Sequence, residues 1–232
     1  MYHLITFPPA FGEISASPFS IKAIWLMNHA GFAWTREVSN DPRKMPHGKL
    51  PVLRDGDRLI HDSGQIARFL SDHGADFWAD TSPRDRALGH ALIALAEKDL
   101  YFHQVLDRWG DDETFAMIRE TFFEDVPRLL RGLIAGKLRR NLMQGLSMQG
   151  LGRLTPDERF AALDAHLHVI ADALGEQPFL MGDQITLPDF SVAAVLSAMR
   201  GSPVPTRMSQ RVTDDAALMA YVARVEQLVG ET

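Results

Sequence analysis

Hydrophobic positions follow two different periods along the chain, and the first part changes period several times. An apolar run of strand length at 2–7 is followed by apolar positions at helical spacing over 18–30. The segment 33–38 then alternates between apolar and polar residues, which is typical of a half-buried strand. The beginning of the chain therefore predicts a β-α-β unit.

A second signal in this part is the dipeptide Asp55-Gly56, which lies between two short apolar runs within 51–60. Asp-Gly in this setting favours a β-hairpin. A helical run then extends from Ser63 to Leu70. The whole order, β-α-β followed by a hairpin and a helix, predicts a small mixed α/β domain over residues 1–78.

From about residue 83 the strand signals disappear and apolar residues recur at helical spacing. The predicted helices cover 85–108, 113–134, 156–174, 187–199 and 214–229, and the breaks between them include 144–155 and 201–205. An all-helical domain is therefore expected over 83–232, joined to the first by a linker near 80–85.

Composition excludes several classes of function. With 232 residues, 46% hydrophobic and 23% charged, the chain is an ordinary globular protein, and its net charge of −6 argues against a nucleic-acid partner. It has no cysteine, which excludes disulfides and a protein thiol nucleophile. No signal peptide and no apolar run of membrane-spanning length is present. We therefore expect a cytoplasmic protein with no membrane partner.

The turn Ser17-Pro18-Phe19-Ser20 lies between the first strand and the first helix. Thiol-disulfide enzymes of thioredoxin type place two cysteines, two residues apart, at such a junction, and here both positions are serine. Ser17 has an ordinary interpretation as a helix N-cap before a proline at N1. The alternative is that its hydroxyl serves a ligand.

Two further motifs also have both a structural and a functional interpretation. Pro51 heads the first hairpin strand, either as an ordinary loop proline or as a cis-proline that turns the backbone of the preceding residue outward, toward an added strand. Asp62 and Ser63 stand where a strand gives way to a helix. They are either plain capping residues or a site where free N–H groups and a hydroxyl receive a carboxylate.

Other polar residues have simpler interpretations. The segment 185–190, ITLPDF, reads as a capping box at a helix start. The spacing of His166 and His168 puts them on different helix faces, and the other histidines form no ligand pattern, so no metal site is expected. Arg153 either lines a cleft or pairs with an acidic neighbour such as Asp157, and we favour the pair.

Taken together, the ordered set SPFS, GKLPVL, DSGQIARFL and ITLPDF resembles the glutathione S-transferase superfamily. The segments FPPAFGEISASPFSIKAIWLMNHAGF, QGLGRLTPDE and FLMGDQITLPDFSVAAVLSAM are similar to its branch of failed axon connections and metaxin proteins. The resemblance implies a thioredoxin-like α/β domain with a cis-proline, followed by an all-α domain.

The same resemblance implies a site and an activity. Ser17 falls at the catalytic Ser/Cys position, Leu50 before Pro51 would pair its backbone with the cysteinyl unit of glutathione, and Asp62 with Ser63 would hold the γ-glutamyl end. Lys49 would reach the glycyl carboxylate. The implied function is transfer of the glutathione thiolate to a hydrophobic electrophile. The alternative is a non-catalytic binding or scaffold protein of this fold. Dimers are usual in the superfamily, and no motif here marks an interface.

Overall fold

A four-stranded mixed sheet forms the first part of the computed structural model, which describes residues 1–230. Its strands are β1 (Tyr2–Thr6), β2 (Trp34–Val38), β3 (Val52–Asp55) and β4 (Arg58–His61), in the spatial order β2-β1-β3-β4. Strand β1 is parallel to β2 and antiparallel to β3, and β3 forms the predicted hairpin with β4. This topology confirms the mixed α/β class expected for the first part of the chain.

Two helices pack on this sheet. Helix α1 (Pro18–Ala30) connects β1 to β2, and helix α2 (Ser63–Asp72) follows β4. Helix α1 is buried from Ser20 to Met27, almost all round. The reason is that it lies between the sheet and a helix of the second part, so neither of its faces meets water. Gly31, at a φ of 71°, ends α1 in the left-handed conformation that glycine adopts readily.

The rest of the described chain is helical. The helices are α3 (Pro83–Ala94), α4 (Tyr101–Gly110), α5 (Asp112–Phe122), α6 (Arg128–Gln149), α7 (Pro156–Leu174), α8 (Leu187–Arg200), α9 (Arg207–Thr213) and α10 (Ala216–Val229). A π-helical turn, Leu95–Leu100, joins α3 to α4 into one continuous rod. Within residues 1–230, no helix is both long and apolar enough to cross a bilayer.

The boundaries around α5 and α6 differ from the sequence expectation. The single helix predicted over 113–134 is wrong, because α5 ends at Phe122 and α6 begins after Pro127. A proline disfavours the helical conformation in the residue before it, which separates the two helices here. Helix α6 then continues to Gln149, through much of the predicted break at 144–155, and ends at Gly150 with a φ of 117°. The short helix α9 was not predicted.

The capping box predicted at ITLPDF is confirmed at the start of α8. Asp189 accepts a hydrogen bond from the Thr186 backbone N–H at 2.8 Å. It also accepts from the Leu180 N–H at 2.9 Å and from the Tyr221 hydroxyl at 3.0 Å. Burial raises the pKa of this carboxyl. Asp189 therefore joins three segments of the helical part, a structural role, as the sequence suggested.

A buried ion pair connects the two parts of the molecule. The Lys22 ammonium, on α1, lies 2.7 Å from the carboxylate of Glu97, in the π-helical turn, and the side chains are only 2% and 14% exposed. A buried pair of this kind costs desolvation energy and is evidence of a fixed relative position rather than of large net stability. It holds α1, and the turn that precedes it, against the helical part.

Candidate functional site

The sheet register brings two of the predicted site segments to one end of the sheet. Val52 pairs with His61 in the antiparallel hairpin β3–β4. Continuing that register by one and two residues places Pro51 and Leu50 alongside Asp62 and Ser63. Strand β1 also ends there, because Ile5 pairs with Val52 and the chain then leaves the sheet. The loop from β1 leads to Ser17, so the three motifs converge on this end.

Leu50 presents an open backbone at this end of the sheet. The Leu50–Pro51 peptide bond is cis. The Leu50 side chain is buried and packs with Ile5 and Val52. Its backbone N–H and carbonyl have no hydrogen-bond partner within residues 1–230. An extended peptide lying beside Leu50 could use both groups as an added strand does.

Asp62 and Ser63 form the junction between β4 and α2. Asp62 has a φ of 69°, a strained conformation for a non-glycine residue, and its carboxylate accepts from the Gly64 N–H at 2.8 Å. Ser63 is 1% exposed, and its hydroxyl has no hydrogen-bond partner among the described residues. A buried hydroxyl without a partner costs about 1–3 kcal/mol. This group at a helix N-terminus fits an anionic ligand that would satisfy it.

Ser17 and Ser20 have opposite environments although both belong to the predicted turn. Ser17 is the N-cap residue of α1 by position, yet its side chain makes no capping hydrogen bond and is half-buried. Ser20 is fully buried, and its hydroxyl accepts from the Phe7 N–H at 3.4 Å. Only Ser17 therefore keeps a hydroxyl available at the N-terminus of α1.

Lys49 is exposed and makes no ion pair within the described part of the chain. Near it, His47 and His61 face each other with their Nε2 atoms 3.2 Å apart. Both histidines border the segments that carry Leu50 and Ser63. The sequence did not single them out, because they are 14 residues apart in the chain and only the packing of the Pro46–Gly48 turn near the end of β4 brings them together.

Arg108, on α4, is a buried residue that the sequence did not identify. Its guanidinium donates to the Ala16 carbonyl at 2.7 Å, one residue before Ser17. It also donates to the carbonyls of Ala198 at 2.8 Å and Gly201 at 3.0 Å, where α8 ends. A cation is favourable at a helix C-terminus. Burial lowers the pKa of Arg108 to about 10, so it stays charged at neutral pH and fixes the Ser17 turn to the helical part.

Tyr101 lies next to the same turn. Its ring is 4.7 Å, centroid to centroid, from the ring of Phe19 and packs edge-to-face. Burial raises the pKa of Tyr101, with the Arg108 charge opposing that shift. Its hydroxyl makes no hydrogen bond within residues 1–230. Tyr101 belongs with Phe11 and Phe102 to an apolar cluster between α4, α5 and α6, which forms an apolar wall next to Phe19 of the turn.

Asp107 is a second buried charge in this region. Its carboxylate accepts from the Thr206 hydroxyl at 3.1 Å, and burial raises its pKa to about 6. Because the folded protein then binds this proton more tightly than the unfolded chain does, the ionised group opposes folding above pH 6. That cost diminishes as the pH falls from 6 toward 4.

We expect Asp107→Asn to stabilise the protein by about 2 kcal/mol at pH 8, since asparagine can still accept from Thr206. At pH 5 the gain should be smaller by about 1 kcal/mol. Urea unfolding at pH 8 and pH 5 measures the gain in the free energy of unfolding, and Asp183→Asn serves as an exposed control. An equal gain at both values would contradict the assigned pKa shift.

Other sequence interpretations are settled by contacts elsewhere. The preferred pairing of Arg153 with Asp157 is wrong. Arg153 donates to the Ser147 carbonyl at 2.6 Å, and Asp157 pairs instead with Arg207 at 2.7 Å. Across residues 1–230, no three histidine or acidic side chains form a cluster that could hold a metal ion.

Models of two protein domains match this chain. One describes the glutathione S-transferase N-terminal domain and covers residues 18–114. The other describes the glutathione S-transferase C-terminal domain and covers residues 157–224. Between the two matched stretches lie residues 115–156, which contain most of α5 and all of α6.

Individual proteins and one solved structure are also similar to this chain. The isoprene-epoxide–glutathione S-transferase of Rhodococcus sp. strain AD45 is 28% identical over 228 residues, 94% of this chain and 95% of that protein. Human metaxin-2 is 22% identical over 184 residues, 78% of this chain and 70% of that protein. A glutathione S-transferase of Ceriporiopsis subvermispora, crystallised with glutathione, superposes with a TM-score of 0.64 at 17% identity, over 100% of this chain and 98% of that one.

Proposed function

Because the chain belongs to the glutathione S-transferase superfamily, we propose that it binds glutathione and transfers the thiolate sulfur to a small hydrophobic electrophile. The observation that carries the proposal is the set of unsatisfied polar groups at one end of the sheet. These are the Ser63 hydroxyl, the Leu50 backbone and the Ser17 hydroxyl. Glutathione offers a carboxylate, a peptide backbone and a thiol, one for each of them.

Each residue has a stated role in this proposal. The Ser63 hydroxyl and the first N–H groups of α2 hold the γ-glutamyl carboxylate, and Asp62 meets the ammonium. Leu50, beside Pro51, pairs its backbone with the cysteinyl unit. Lys49 extends toward the glycyl carboxylate. The thiol then lies at the N-terminus of α1, next to Ser17.

Ser17 would make the thiol reactive by favouring its ionised form. A free thiol with a pKa of about 8.5 is only ~3% ionised at pH 7. Lowering that pKa by about two units requires roughly 2.7 kcal/mol of preferential thiolate stabilisation. A hydrogen bond to a charged group supplies about 1.5–3 kcal/mol, and a helix N-terminus adds about 0.3–1 kcal/mol. These two effects together account for the shift.

For the electrophile we propose a small epoxide, following the name of the Rhodococcus relative. The thiolate attacks one ring carbon, a carbon–sulfur bond forms, and the carbon–oxygen bond breaks. The resulting alkoxide takes a proton from the Tyr101 hydroxyl, which is restored from solvent. The buried Arg108 charge stabilises the transient phenolate. The apolar cluster around Phe11 and Phe102 receives the organic part of the substrate.

A second candidate is binding of glutathione, or of another protein, without catalysis. The similarity to metaxin-2 favours it, because that protein is a relative whose name denotes no transferase. The two candidates differ in turnover. Conjugation of an epoxide by the purified protein at a rate set by Ser17 supports the enzyme, whereas saturable binding without turnover supports the alternative.

The test of glutathione binding is a calorimetric titration of the wild type and Ser63→Ala. We expect the variant to bind reduced glutathione about tenfold more weakly, since a hydrogen bond to a charged group is lost. In urea, the free variant should be as stable as the wild type or more so, because this hydroxyl lacks a partner.

The matched control is Ser71→Ala, an exposed serine at the end of the same helix. It should change neither affinity nor stability. If Ser63→Ala binds glutathione as tightly as the wild type, Ser63 is not part of the site. If the wild type shows no saturable binding, the proposed function is wrong.

A further inference from the structure

Helix α6 exposes a row of aliphatic side chains in its first three turns. The residues are Leu129 (97% exposed), Leu130 (49%), Leu133 (69%), Ile134 (43%) and Leu138 (39%). They are spaced at i, i+1, i+4, i+5 and i+9, which places them on one side of a helix. We call them the outer face of α6. All five lie in the stretch between the two matched family models.

The outer face is convex and has no neighbour in the fold. Helix α6 packs against α4, α5 and the short turn Leu151–Arg153. Its buried residues, Ala135 and Leu146, lie on the opposite side from the outer face. Because no second element borders the row of leucines, it forms a ridge rather than a groove. Large aliphatic patches left in water usually mark an interaction surface.

The charged side chains of α6 itself have a single sign. Helix α6 carries five basic residues and no acidic one, in a chain whose net charge is −6. Two of the five are paired with α5, Arg131 with Glu120 and Arg139 with Asp112. The other three, Arg128, Lys137 and Arg140, are exposed and have no acidic partner within residues 1–230. By the same helical spacing, Lys137 and Arg140 lie on the side of the leucines, whereas Arg128 lies on the other side of the helix. The outer face therefore carries two unpaired cations.

We propose that the outer face of α6 docks on an anionic membrane surface. The leucines enter the boundary between headgroups and acyl chains, and Lys137 and Arg140 meet the lipid phosphates. Helices with an apolar side and flanking Lys/Arg bind bilayers in this way without spanning them. Since the chain as a whole carries a net charge of −6, attraction of this basic face orients the protein on the surface. The inference does not depend on glutathione binding.

The same observations disfavour two other occupants. A second copy related by a two-fold axis would place the cations of one outer face close to those of the other. A partner helix that binds in a groove is disfavoured because this face is a ridge. The expectation of no membrane partner rested on the lack of a spanning segment, which an interfacial helix does not require.

Vesicle flotation tests the proposal with the full chain. Vesicles of phosphatidylcholine with an equal share of phosphatidylglycerol should bind the protein about 25-fold better than phosphatidylcholine alone, at about fivefold for each of the two cations. The double variant Leu129→Gln, Leu133→Gln should lose binding by tenfold or more. The double variant Lys137→Gln, Arg140→Gln should lose most of the preference for anionic lipid. Met148→Gln, which is 75% exposed at the far end of α6, serves as the control and should bind normally.

The residues changed are exposed, so far-ultraviolet circular dichroism should be the same for all variants. Absence of binding to the anionic vesicles overturns the proposal, and so does binding that survives Leu129→Gln with Leu133→Gln. Light scattering of the protein without vesicles measures whether the outer face instead joins two copies of the chain. A dimer that dissociates in the same double variant would assign the outer face to a second copy of the chain and overturn the membrane assignment.

Discussion

Ser17→Ala is expected to lower kcat/KM for glutathione conjugation about fifteenfold at pH 6.5, since the variant loses one charge-assisted hydrogen bond of about 2 kcal/mol and the wild-type thiol is about half ionised at this pH. The Ser17 hydroxyl makes no capping bond in the protein, so its removal should leave α1 intact. The lower kcat/KM should result from a smaller ionised fraction of the bound glutathione thiol. Its pKa, read from the pH dependence of kcat/KM, should rise by about 1.5 units.

The pH profile separates this role from a structural one. At pH 9.5 the thiol of bound glutathione ionises without help, so the variant should approach the wild-type rate. Ser20→Ala is the matched control, because Ser20 is buried in the same turn and bonds to the Phe7 N–H. It should lower stability and leave the thiol pKa unchanged. A Ser17→Ala enzyme with wild-type kcat/KM at pH 6.5 would remove Ser17 from the mechanism.

The sequence predicted several local elements of the fold well, because each rests on local chemistry. The Asp55-Gly56 hairpin, the turn at Ser17 and the capping box at Thr186 all depend on residues close together in the chain. Backbone preferences and capping hydrogen bonds are local interactions. The order of the strands and turns along the chain also predicts that the Ser17 turn and the open end of the hairpin lie at the same end of the sheet.

What the sequence could not predict depends on contacts between distant segments. Arg108 reads as an ordinary charged position of an amphipathic helix, and only its packing against Ala16 and Gly201 makes it a buried residue. The free hydroxyl of Ser63 could not be predicted from the sequence either, since helix capping fully explains a serine at this position. Its missing partner is visible only in the folded chain.

Helices α5 and α6 show a different limit of prediction from the sequence. Periodicity over 113–134 is continuous, so it predicts one helix, although the chain around Pro127 separates α5 from α6. The break at 144–155 was inferred from glycines and polar residues, yet Gly145 lies within α6 where its lack of a side chain is tolerated. A long exposed helix accepts a glycine at a cost of about 1 kcal/mol. The outer face of α6 can be recognised only when the true bounds of α6 are known, and the sequence therefore did not predict it.

Tyr101→Phe is expected to lower kcat/KM for epoxides about a hundredfold, the usual contribution of a positioned proton donor. The opening ring needs a proton on its oxygen, and the Tyr101 hydroxyl is an unpaired donor beside the Ser17 turn. Burial raises its pKa, so the phenol is protonated at neutral pH. Phenylalanine keeps the packing against Phe19. Stability and glutathione affinity should therefore stay the same.

An alkyl halide provides the discriminating substrate, because its leaving halide takes no proton. With it, Tyr101→Phe should conjugate at close to the wild-type rate, whereas Ser17→Ala should lose activity toward both electrophiles. The two variants thus assign separate steps, thiolate formation to Ser17 and protonation of the leaving oxygen to Tyr101. Equal losses on epoxide and halide in Tyr101→Phe would show that the hydroxyl shapes the apolar wall and donates no proton. In that case the alkoxide must take its proton from water.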